Sequence, residues 1–155
     1  MSMNFAPPLP PLAPGAVLPA APTISLLTYA SAAFSGNVTM TNANTFYDGA
    51  TVTVTVSGTY LLMGSILIQD NVASSFVTVK LWDGTTTYAA ASGSTVGSSN
   101  MQYTLFRVVQ VGITLPRTFK LSAASTGTLC VILAAAPNNS PGNYACVFNA
   151  IRLGP

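Results

Sequence analysis

Residues 51–68 read TVTVTVSGTYLLMGSILI. In the first six, Thr51, Thr53 and Thr55 alternate with Val52, Val54 and Val56, the period of two that sets hydroxyls on one face of a strand and branched aliphatics on the other. Ser57-Gly58 supplies a tight turn. Thr59 to Ile68 is then apolar at both parities, as in a central strand covered from both sides. Gly64 inside it points to a bulge or to close approach of another backbone. A half-buried strand turning into a buried one makes the chain all-β and gives the pattern to seek on either side.

Toward the C-terminus, Ser75 to Trp82 alternates again, with Val77, Val79 and Leu81 on one face and Phe76, Thr78, Lys80 and Trp82 on the other. Asp83-Gly84 follows, a strong hairpin signal between two β-like runs, and Thr85 to Ala91 is the return strand. Ser92 to Asn100 is a small, polar crossover, Met101 to Val111 a long strand, and Pro116 marks a break. Thr118 to Ala123, Thr128 to Ala135 and Tyr144 to Leu153 complete the series, with the turn formers of Pro137 to Asn143 between the last two. Weaker strands are expected at Thr23 to Tyr29 and Val38 to Thr41. No 3.6-residue periodicity extends over a helix length. About nine or ten strands at this spacing give a two-sheet sandwich or barrel. The expected architecture is an antiparallel jelly-roll sandwich over residues 23–155, with an immunoglobulin-like sandwich as the structural alternative.

Residues 1–22 are of another kind, holding seven of the eleven prolines: Pro7, Pro8, Pro10, Pro11, Pro14, Pro19 and Pro22. Proline fixes φ and removes a donor, so this run is read as an extended N-terminal arm excluded from a sheet interior. It lacks the basic start and continuous apolar stretch of a secretory signal. Three uses of the arm stand side by side: a semi-rigid tether, a docking arm that lays Phe5, Leu9, Leu12, Val17 and Leu18 into grooves of a neighbouring subunit, and a groove-binding PxxP ligand.

Only eight of the 155 residues are charged, five Lys or Arg and three Asp, with no His, or 5% where roughly 25% is usual. Apolar stretches are interrupted well before the ~18 to 20 residues of a spanning helix. General acid–base chemistry needs a poised titratable group, and the inventory of three Asp, two Cys, six Tyr, two Lys and three Arg is thin. We therefore expect no enzyme and no catalytic residue. Lys80, Arg107, Arg117, Lys120 and Arg152 are scattered in sequence, so no phosphate-binding stripe and no nucleic-acid partner is expected.

Cys130 and Cys146 fall in consecutive strand-like segments whose antiparallel pairing would bring them together. They are read either as a disulfide or as buried thiols acting as small hydrophobes. Without His they do not complete a zinc site. Asp48, Asp70 and Asp83 precede Gly49, Asn71 and Gly84 and lack calcium-loop spacing, so turn chemistry accounts for them. No metal and no cofactor is expected. Trp82 with Tyr88 would make an aromatic sugar platform, or Trp82 packs over a sheet edge.

Two further strands are apolar on both faces. Ala145, Val147, Ile151 and Leu153 oppose Cys146, Phe148 and Ala150, while Tyr103, Leu105, Val109 and Val111 oppose Phe106 and Val108. A sandwich strand needs one apolar face. The second calls for a cover, and a further copy of the chain is the economical one; the alternative is a monomer with scattered exposed apolar residues. A homotrimer is expected, with Tyr103, Leu105, Phe106, Val147, Phe148 and Ile151 at its interface.

The run Phe46-Tyr47-Asp48-Gly49-Ala50 into the quoted stretch, with Gly58-Thr59-Tyr60, the VKLWDG hairpin edge at Val79 to Gly84 and the terminal NAIRLG, resembles a class of bacteriophage virion proteins. These have a jelly roll like that of tumour necrosis factor and the complement globular head. The resemblance spans about residues 45 to 153. It implies a trimer with the C-terminal strand beside its axis, and one of two roles. One is a head decoration, or cement, protein on the outer surface of the phage head, assembled in the host cytoplasm, with the major capsid protein or other virion proteins as partners. The other is a tail-fibre or receptor-binding tip or adaptor that recognises a host glycan. The lack of any shaft sequence favours the first. Neither implies a membrane.

Overall fold

The computed structural model describes residues 29–71, 74–96, 99–134 and 146–155; the arm and the Pro137 to Asn143 loop lie outside them. Ten strands follow in order: β1 (Tyr29–Ala33), β2 (Val38–Met40), β3 (Tyr47–Val54), β4 (Gly58–Gln69), β5 (Phe76–Trp82), β6 (Thr87–Ser94), β7 (Asn100–Val111), β8 (Arg117–Ser125), β9 (Cys130–Leu133) and β10 (Val147–Gly154). Every pairing between them is antiparallel. No helix occurs among the described residues.

The strands form two sheets packed face to face as a jelly roll. The second sheet runs β3-β8-β5-β6. In the first, β4 is the organising strand. One of its edges is bonded to β7 without interruption from Gly58↔Val111 to Gln69↔Asn100. Its other edge is shared end to end, β10 pairing up to Ser65↔Val147 and β9 taking over at Leu67↔Leu133. β10 carries β1 and β9 carries β2. The expectation that the two segments holding Cys130 and Cys146 pair with each other is therefore corrected: β9 and β10 run in one direction along one edge of β4. They follow one another along that edge. The Phe34 amide donates to the Cys146 carbonyl at 3.0 Å and the Ala134 amide to Asn37 Oδ1 at 2.8 Å, so the link between β1 and β2 bonds to the residue after β9 and to the residue before β10.

The strict alternation of β4 puts Tyr60, Leu62, Gly64, Ile66 and Ile68 inward. They meet Val77, Val79 and Leu81 of β5, Phe119 and Leu121 of β8, and Phe148 and Ala150 of β10, all essentially inaccessible. Gly64 lies in unbroken register with Leu105 and Phe148, so it marks a close approach and no bulge. A Cβ there would overlap the Leu121 side chain of the facing sheet. Gly58, at φ +144°, likewise leaves room for the Gly154 carbonyl. The register breaks lie elsewhere: in β3 between Asp48 and Thr51, in β5 against β6 between Leu81 and Trp82, and in β10 against β4 between Arg152 and Gly154. The residues from Ser92 expected as crossover continue β6 as far as Ser94.

The Asp83-Gly84 turn extends through Thr86. Asp83 Oδ1 accepts the Thr85 and Thr86 amides at 3.0 and 2.7 Å, and Gly84 takes φ +95°. Asp83 Oδ2 accepts from the Tyr88 hydroxyl and the Arg117 guanidinium. Burial works to raise the pKa of Asp83, but Arg117, these amides and Tyr88 outweigh it and hold the carboxyl well below the usual carboxylate range.

Candidate interaction face

Side chains at the other parity of the first sheet point away from the core and form rows across the strands. One row is Tyr29, Ile151, Leu61 and Val108; the next is Ser31, Asn149, Met63 and Phe106; the third is Ala33, Val147, Ser65 and Thr104. Phe106 is 70% exposed, Tyr29 59%, Val108 54% and Met63 38%. None of these residues is charged. Arg107 and Arg152 belong to the same sheet but sit at the opposite parity, across from Leu62 and Tyr60, and Arg152 Nε donates to the Ser57 carbonyl at 3.0 Å.

Several polar groups on this face bond to one another. The Tyr29 hydroxyl donates to Asn149 Oδ1 at 2.8 Å, Gln102 Nε2 to Ser65 Oγ at 2.8 Å, and Thr59 Oγ1 to Gln110 Oε1 at 2.7 Å. A surface that is apolar, uncharged and internally paired gives up little hydration when covered. It also has relief. Small side chains leave a depression of about 120 Å³ bounded by Met63, Gly64, Ser65, Thr104, Val147 and Asn149, beside the protruding Phe106 ring. The outer face of the second sheet is unlike it, carrying Asp48, Lys80 and Lys120 among Thr51, Thr53, Thr78 and Thr118.

Of the residues expected at a subunit interface, Phe106, Val147 and Ile151 lie on this outer face. Leu105 and Phe148 are 5% and 0% exposed in the core, and Tyr103 packs partly buried against it. Alternation decides this: a strand's two faces cannot both look outward, and Leu105 and Phe148 share Gly64's inward parity. Sequence reading did not single out Leu61, Met63 and Tyr29, whose membership comes only from cross-strand register; Val108 it had placed with Phe106 on one face of its strand. Phe5, Leu9, Leu12, Val17 and Leu18 lie outside the described residues.

The remaining candidates are resolved by their surroundings. Cys130 and Cys146 are free and buried. Burial pushes the Cys146 thiol pKa up, against the opposing effect of the Ala50 amide, which donates to its sulfur at 3.4 Å; such a thiol is inert. Asp70 is 1% exposed and accepts from Thr95 Oγ1 at 2.6 Å. Trp82 and Tyr88 do not form a platform. Trp82 lies on the outer face, its indole N–H donating to Ser122 Oγ at 2.6 Å, whereas Tyr88 turns to Asp83 and packs edge-on against Phe119. Among the described residues no three potential ligands gather into a metal cluster.

The antiparallel two-sheet jelly roll expected from the sequence is the fold observed. Solved structures agree. Murine APRIL at pH 5.0 superposes with a TM-score of 0.53 at 11% identity, covering 82% of this chain and 99% of that one, and the structure at pH 8.0 matches equally. A protein of the T13 particle of infectious bursal disease virus matches with a TM-score of 0.50 at 11% identity, over 88% of this chain and 39% of that one. These likenesses are of fold. No protein-family model and no curated protein matches the chain in sequence.

Proposed function

We propose that the protein is a structural virion component: a homotrimer that decorates the outer surface of a phage head and clamps neighbouring capsid subunits, with the N-terminal arm docking on a neighbour. It carries out no catalysis. The observation that carries this reading is the outer face of the first sheet, where Tyr29, Leu61, Met63, Phe106, Val108 and Ile151 form one patch with no charge. Burying it against a second copy removes apolar area from water without desolvating an ion. The fold is one that also occurs in a viral particle, and the sequence resemblance to phage virion proteins points the same way.

The arm supports the clamping part. β1 begins at Tyr29, which pairs with Ile151 at the edge of this face, and the arm of residues 1–22 precedes it in sequence. Twenty-two residues span up to about 75 Å when fully extended. Three arms on one trimer raise the effective concentration of each and slow release. Two measurements test the reading. Light scattering on the purified protein gives a trimer mass if it holds and a monomer if it fails. Deleting residues 2–22 abolishes or strongly weakens binding to capsids that lack this protein; undiminished binding refutes arm docking.

A further inference from the structure

Both lysines of the chain, its single tryptophan and one of its three aspartates meet on the outer face of the second sheet. Register brings them together: Lys80 and Trp82 share a face of β5, and Trp82 pairs with Lys120 of β8, itself opposite Thr51 beside the Asp48 bulge. Lys120 Nζ contacts Asp48 Oδ2 at 2.6 Å, and Ser122 Oγ donates to Asp48 Oδ1 at 2.6 Å while accepting the Trp82 indole. Lys80 is different. Its ammonium rests 3.3 Å from the Trp82 ring centroid and 3.9 Å from that of Phe46. Asp48, the nearby carboxylate, is paired with Lys120, and Asp83 is paired with Arg117.

We propose that this cluster binds an acidic sugar, a hexuronate unit of an anionic polysaccharide, with Lys80 taking the sugar carboxylate. An ammonium held between two π faces is already partly stripped of water; burial lowers its pKa, with Asp48 acting in opposition. It therefore gives up less hydration on meeting an anion than a free lysine does. The rest of the set selects a sugar over an acidic peptide. Asp48 is 39% exposed at its side chain and accepts from the vicinal hydroxyls of a sugar, which a chain of acidic residues lacks. Phe46, 38% exposed, offers apolar surface to the CH face of a pyranose. Thr78 and Ser92, paired beside Lys80, add hydroxyls within the same patch. The cluster is on the sheet opposite the neutral face, so it stays open when that face is covered, and it does not rest on the assembly reading.

The test is calorimetric titration of the full chain with three probes of equal length: an oligogalacturonate, an uncharged galacto-oligosaccharide and an oligoglutamate. Trp82 emission provides a parallel local signal. The oligogalacturonate is expected to bind saturably and to change the emission, with the other two at least about tenfold weaker. Lys80→Gln lowers oligogalacturonate affinity about tenfold or more, while Lys80→Arg, which keeps the charge and stacks on the same rings, holds it within a few-fold. Equal binding of oligoglutamate overturns the sugar assignment. Absence of oligogalacturonate binding, or unchanged affinity in a folded Lys80→Gln protein, overturns the site.

Discussion

Phe106 protrudes from the neutral face with 70% of its surface in water, so truncating it to Ala separates assembly from folding. A phenylalanine side chain presents about 200 Å². Covering the exposed share removes about 140 Å² from water, worth about 3.5 kcal/mol per copy at ~25 cal/mol/Å², of which about 3 kcal/mol is lost with the ring. Three copies lose about 9 kcal/mol, or about 10⁶- to 10⁷-fold in the trimer dissociation constant. Because that constant carries the square of concentration, the midpoint of dissociation rises by about 10³-fold. A dilution series followed by sedimentation or light scattering reads this directly. The folded monomer, where Phe106 is already in water, should change in stability by no more than ~0.5 kcal/mol. If the variant dissociates at the parent's concentration, the face is not where copies meet. If instead the monomer loses stability, Phe106 is doing something in the fold that its exposure does not indicate.

Gly64→Ala drives a methyl into Leu121 across the sandwich and should cost about 1 to 3 kcal/mol in denaturant unfolding, with Leu121→Ala restoring part of it in the double variant. The Asp83 carboxyl titrates lower in the folded chain than its unfolded value of about 3.9. Its contribution to stability is therefore full above about pH 4 and is lost as pH falls below that toward the folded pKa. Asp83→Asn should flatten this part of the stability–pH curve and cost about 2 kcal/mol at neutral pH; an unchanged acid limb contradicts it. Cys130 and Cys146, both inaccessible, should resist iodoacetamide at pH 8 in the native protein and both label once it is unfolded in guanidinium, as read by mass.

What could be read in the sequence was what depends on a single strand. The alternation that begins at Thr51 holds as far as Val54, where β3 ends and leaves Val56 41% exposed, and the alternation of Thr59 to Ile68 and the face shared by Lys80 and Trp82 are likewise local and present in the structure. Pairing between distant strands was not readable to the same degree. Cys130 and Cys146 suggested a hairpin because two apolar runs split by Pro, Gly and Asn look alike whether the chain reverses or merely detours; only the ladder on β4 distinguishes them. The interface set mixed Leu105 and Phe148 with Phe106 and Val147 because a strand apolar on both faces does not reveal which face looks inward. The neighbouring packing decides that, here through Gly64 and Leu121. The Lys80–Trp82–Lys120 group joins residues some forty positions apart, so five scattered cations gave no hint that two of them flank one indole.

The shared edge of β4 also sets the order in which this chain can fold. Leu133 and Val147 face Leu67 and Ser65, positions of one parity on an unbroken strand, and β1 joins the sheet only through β10, at Tyr29↔Ile151. Pairings between strands so distant in sequence close slowly, because the chain entropy is lost before the contacts are gained. The first sheet is therefore complete only when β10 is in place, and until then β4 offers an open edge to any other strand.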